Sequence, residues 1–244
     1  MGLDVYVGPL SRYYSGQWET ILQQVGRRSG LTVRVIRPAE RKPGFLATLV
    51  ERFKGRPEPS DPVAVVNTWM ASLRQHAGVE TTFAWDDAPD GEYFTDKPAW
   101  DCYGALVLWA AYDENPPKER LSTATDQWSA DTAYAIASTN RSSRYRHLVA
   151  NTEVWIPSDF DEPFSAPMPA GGPAVIGSSV RLLSELQTLN RRTWQAGGRD
   201  IELWRQEGAE YGAPLEKSAK MGFAVFHELA SKSVDLRLPM KLDY

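Results

Sequence analysis

The chain has 244 residues, 42% of them hydrophobic and 24% charged, with a formal net charge of −4. That balance belongs to a globular protein with a sizeable core and excludes a disordered chain. It also lacks the positive field a general nucleic-acid binder needs, although Arg141, Arg144 and Arg146 make a local basic patch.

Leu3 to Val7 alternates β-forming residues around Asp4, and Gly8-Pro9 stops the run, which predicts a strand. Ser15 stands as cap to a helix carrying Trp18, Ile21, Leu22 and Val25, with Gly30 just past its end. Leu31 to Ile36 reads as a second strand ended by Pro38, completing a βαβ unit. Four prolines and many charges make 38–60 a surface excursion, with at most a short helix at 44–53. Asp61-Pro62 is an N-cap followed by a first-turn proline, and opens a helix through Val65, Val66, Trp69 and Leu73 to Gly78.

Residues 84–97 read as loop. Pro98 opens a helix from Ala99 to Tyr112 that is apolar nearly all round and therefore central. A helix fits 123–138, and Leu148 to Ile156 has strand character. The stretch 157–173 holds five prolines and is a loop. Ala174 to Ile176 is short and apolar. Gly177-Ser178-Ser179 leads into a helix with Val180, Leu183, Leu186 and Leu189 on one face. A last helix, about 213–232, spaces Leu215, Ala219, Gly222, Phe226 and Leu229 helically. These elements predict an α+β protein, one helix-rich domain over 1–244 with a small mixed sheet.

The opening Met1-Gly2-Leu3-Asp4-Val5-Tyr6-Val7-Gly8, with Arg12-Tyr13, resembles a group of bacterial proteins without an assigned activity. Phe94-Thr95-Asp96-Lys97-Pro98-Ala99-Trp100-Asp101 and Leu238-Pro239-Met240 are similar to them too. The resemblance implies a bacterial, cytoplasmic origin and brings no catalytic residues.

Several constellations bear on function. Cys102, the single cysteine, closes no internal disulfide, which fits a reducing compartment. It lies in an apolar helix, where a thiol is ordinarily inert packing rather than a nucleophile. His76, His147 and His227 stand apart, with no His-x-x-x-His or Cys-x-x-Cys spacing, so neither metal nor cofactor is expected. Gly177-Ser178-Ser179 before a helix reads as a cap in preference to an anion site. The N-terminus lacks a basic and apolar leader, and the longest apolar run, Gly104 to Tyr112, is far short of the ~20 residues that span a bilayer. A cytoplasmic protein without a membrane partner is expected.

The strongest signal is Trp85 to Asp101. Asp86, Asp87, Asp90, Glu92, Asp96 and Asp101 face one base, Lys97, and Trp85, Tyr93 and Trp100 are interleaved as candidate anchors. Acids steer a basic partner and rigid rings hold it. A second acidic cluster, Asp159, Asp161 and Glu162, follows Trp155. The expectation is a non-enzymatic protein-binding module, an immunity protein blocking a basic toxin. The rival is a hydrolase-like enzyme using Asp86, Asp90 or Asp101, which requires carboxylates converging in a cleft.

Overall fold

The computed structural model describes residues 3–31, 61–77 and 83–243. Its elements run β1 (Asp4–Val7), α1 (Leu10–Tyr14), α2 (Ile21–Arg28), α3 (Pro62–Ala77), β2 (Phe94–Asp96) and α4 (Trp100–Glu114). They continue with a 3-10 turn (Trp128–Ala130), α5 (Thr132–Thr139), α6 (Arg146–Val149), β3 (Val154–Ile156), β4 (Phe164–Pro167) and β5 (Pro173–Ser178). The chain ends with α7 (Ser179–Arg192), α8 (Gly198–Glu207), α9 (Leu215–Leu236) and β6 (Met240–Asp243).

Among the described residues the strands form one six-stranded mixed sheet in the order β2-β1-β6-β3-β5-β4, in which only β3 and β5 run parallel. This is the helix-rich α+β architecture anticipated above. Strand alternation sends successive residues to opposite faces, and both faces are covered. Val5, Val7, Trp155, Met240 and Leu242 join the core beneath α4, α7 and α9. Val154, Ile156, Ala174 and Ile176 meet Leu10, Val66, Trp69, Phe83 and Trp85 on the other side.

Helix α4 is central as expected, with 11 of its 15 residues buried. Helix α9 lies along it, and α7 and α8 flank α9. The approach of α4 and α9 is close because Gly222 has no side chain: a Cβ there would stand 2.4 Å from the carbonyl oxygen of Cys102. Asp61 caps α3 as the sequence implies, accepting from Val63 N–H at 3.0 Å. No helix among the described residues is long and apolar enough to cross a membrane.

Local departures have local causes. Helix α2 starts at Ile21, because Thr20 and Gln23 make a reciprocal capping box there. Ser15 instead ends α1, an unanticipated helix, and Gly16 turns the chain with φ +69°. The loop expected at 84–97 includes β2, and the proline-rich 157–173 includes β4, both edge strands, where a proline or a short run is tolerated. The 123–138 helix shortens to α5, which Asp131 caps through Ala133 N–H at 2.7 Å. Leu148 sits in α6 rather than in a strand. Helix α8 and strand β6 had no sequence forecast. Of the expected strand at 31–36, which would complete the βαβ unit, Leu31 is described and is not in a strand; its other residues and the helix at 44–53 lie outside the described residues.

Candidate functional site

The acidic aromatic stretch divides into an anchored part and an exposed part. Trp85 and Asp87 are buried, at 7% and 8% exposure. Helix α1 begins after Pro9 without a side-chain cap of its own, and Asp87 supplies one. Its Oδ1 accepts from Leu10 N–H (2.6 Å) and Trp85 Nε1–H (3.1 Å), its Oδ2 from Ser11 N–H (2.8 Å). A buried carboxylate needs such donors, and helix N-terminal N–H groups are good ones. Asp101 is likewise buried: Oδ1 accepts from Cys102 N–H at 3.0 Å and Oδ2 from Gly212 N–H at 3.2 Å.

The other rings are also committed. Tyr93 stacks on Tyr6 at 5.9 Å, lies 4.3 Å from the Arg12 guanidinium, and accepts Glu19 N–H on its hydroxyl. Trp100 packs 5.8 Å from both Tyr103 and Trp128. Asp96 pairs with Arg205 at 2.7 Å, and Lys97 pairs with Asp4 at 3.2 Å. As partner-facing groups, Trp85, Asp87 and Asp101 are therefore corrected, because they are buried, while Trp100 and Tyr93 are half-buried, with one side packed on the protein.

Asp86, Asp90 and Glu92 remain exposed. They ride on a turn held from below. Arg12 Nη1 donates to Gly91 O at 2.7 Å, Ser11 Oγ donates to Asp87 O at 2.8 Å, and Gly91 N–H closes onto Ala88 O at 2.9 Å. None of the three acids makes an ion pair among the described residues. The carboxylates proposed for hydrolysis do not converge, since Asp86 and Asp90 face outward and Asp101 is tied to Gly212.

The sequence-distant charge clusters, by contrast, meet. Arg146 reaches Glu162 (3.4 Å), and Arg181 reaches Asp159 and Asp161 (both 2.6 Å). Around them lies a polar pocket of about 250 Å³, lined by Arg141, Arg144, Arg146 and Arg181 with hydroxyl groups and Glu185. Arg144 is held from the far side by Asp113 at 3.3 Å. Glu185 accepts His147 N–H (2.8 Å) and Leu148 N–H (2.9 Å), so it caps α6 from α7. Burial pushes its carboxyl up to about 8 against the pull of those two bonds.

His147 sits beside it, 1% exposed. Ser178 N–H donates to Nδ1 (2.9 Å), which leaves the proton on Nε2 to bond Asp161 O (3.0 Å). Burial lowers its pKa to about 4, so the ring is neutral near pH 7. Sequence reasoning found the arginine patch but missed Glu185. A signal was there: Leu182, Glu185, Leu186 and Leu189 are among the buried positions of α7, and a carboxylate on an apolar stripe marks a specific partner.

The remaining candidates are accounted for by packing. Cys102 is 1% exposed, and burial raises its thiol to about 11, away from nucleophilic thiolate. His227 stacks on Phe223 at 5.4 Å. Ser178 caps α7 through Arg181 N–H at 3.1 Å, while its own N–H goes to His147 Nδ1 and its hydroxyl to Ser158 O, and Ser179 Oγ donates to Ile156 O, so the polar groups of Ser178 and Ser179 are committed within the protein. Among the described residues, no group of three His, Cys, Asp or Glu side chains is placed to hold a metal ion. Compared with models of protein families, with curated proteins and with solved structures, the chain matches none.

Proposed function

We propose that the chain is a non-enzymatic protein-binding module that receives a basic protein on the turn carrying Asp86, Asp90 and Glu92. The observation behind this reading is that three exposed acids, without an ion pair among the described residues, stand on a turn pinned by Asp87 and Arg12. Unneutralised like charges give a local negative field, which speeds encounter with a positive surface. A turn already held in place loses little conformational freedom on docking. A basic toxin neutralised by an immunity protein fits this chemistry. The hydrolase reading needs converging carboxylates, and no observation here favours it.

The test is kinetic. A partner recovered by pull-down is measured against Asp86→Asn, Asp90→Asn, Glu92→Gln combined, at low and high salt. The variant should associate about tenfold more slowly at low salt, and the gap should close as the Debye length falls below ~8 Å. Equal association rates at low salt would remove this surface from consideration. Asp87→Asn serves as the control: it should lower stability by about 1–3 kcal/mol, through loss of the α1 cap, rather than act through steering.

A further inference from the structure

We propose that the pocket between α6, α7 and the 159–162 loop binds a tetrahedral oxyanion, a phosphate or sulfate group, free or as a monoester. The pocket gathers guanidinium groups from two elements and one loop: Arg141 and Arg144 from the loop before α6, Arg146 from α6, Arg181 from α7. The planar N–H fork of arginine matches the oxygens of such a group, two at a time.

The charges are layered in a way that leaves room for an anion. The Arg146 side chain is 17% exposed, whereas its partner Glu162 is 55% exposed and Asp161 is 85% exposed. At Arg146 the positive charge thus lies inside, with Glu162 on the rim, whereas Arg144 and Arg181 are about 44% and 43% exposed and reach the pocket from its mouth. Arg146 is pinned by Nη1 on Ser138 O at 2.8 Å as well as by Glu162, which holds it without consuming all of its donors. Arg141 is exposed and makes no ion pair among the described residues. Ser142, Ser184 and Thr188 add hydroxyls to the lining. The third carboxyl of the pocket, Glu185, faces the backbone N–H groups of α6, and its burial favours the neutral form below about 8. The lining therefore presents four guanidiniums, of which Arg181 is shared with Asp159 and Asp161, Arg144 with Asp113 and Glu114, and Arg146 with Glu162, while Arg141 makes no ion pair among the described residues.

Sulfate is the first probe, because it does not titrate near neutrality, and it is added at constant ionic strength against sodium chloride. A saturable rise in melting temperature, matched by a calorimetric isotherm at pH 6, is the expected result. Arg141→Gln, an exposed change that leaves the fold alone, should weaken binding about tenfold, the equivalent of 1.4 kcal/mol. Arg146→Gln should weaken it further; should that variant fail to fold, Arg141→Gln decides. Inorganic phosphate and phenyl phosphate form the second arm: tighter binding of the ester points to a phosphorylated ligand, tighter binding of the free ion to a small metabolite. A sulfate effect no larger than that of chloride, or an Arg141→Gln isotherm equal to wild type, overturns the proposal. Neither result touches the acidic turn, which lies on other elements.

Discussion

Glu185 and His147 are neighbours whose burial pulls stability in opposite directions with pH. His147 is held below its ordinary value, at about 4, so its contribution is present above the unfolded value of 6.5 and lost as pH falls through 4. Glu185 is held above its ordinary value, at about 8, so its contribution is full below 4.5 and lost as pH rises through 8. Between 4.5 and 6.5 the two proton balances cancel: unfolding binds one proton at the histidine and releases one at the glutamate. Between 6.5 and 8 only the glutamate acts. Urea unfolding should find the protein about 2 kcal/mol less stable at pH 8 than at pH 6.5 from this group. The difference between wild type and Glu185→Gln isolates it, because glutamine cannot ionise. A variant with the same slope as wild type would place the titration elsewhere.

At the scale of elements, the decisive contact is that of α4 with α9. Glycine inside a helix ordinarily costs ~1 kcal/mol relative to alanine, so Gly222→Ala would stabilise a helix standing free. Here the added Cβ meets backbone, the carbonyl of Cys102 at 2.4 Å, and two long packed helices must separate to admit it. The expected outcome is a loss of about 1–3 kcal/mol in denaturant unfolding. A neutral or stabilising result would mean that the helices slide apart readily. Gly104 has the same logic against Trp128, whose ring occupies the place a Cβ would take.

At the scale of the molecule, the sheet makes two cores into one structure. Strand β3 is paired on both sides, and its alternation places Trp155 under the α4–α9 layer and Val154 and Ile156 under the α1–α3 layer. Trp155 is fully buried, donates its indole N–H to His147 O at 2.8 Å and stands edge-on to Phe226. Trp155→Ala should cost about 3–5 kcal/mol. Far-UV dichroism and tryptophan fluorescence should report one coincident transition in wild type, shifted together in the variant. Two separated transitions would show that the layers unfold independently.

The sequence alone sufficed for what is local or periodic. The start of α3 at Asp61-Pro62, the apolar α4, the spacing along α9 and the α+β class follow from capping chemistry and 3.6-residue patterning, which neighbours in sequence carry. Side-chain direction in the 85–101 stretch was beyond it. Acids and rings alternate there whether they serve a partner or a core, and only the presence of uncapped α1 N–H groups beside Asp87, and of Gly212 N–H beside Asp101, turns two of the acids inward. The pocket was likewise out of reach as a whole. Arg141, Arg144 and Arg146 were visible as one cluster and Asp159, Asp161 and Glu162 as another, but α7 brings them together through Arg181 and Glu185. Charge pairing between residues far apart in the chain depends on the distance between elements, and that distance is set by how the cores pack.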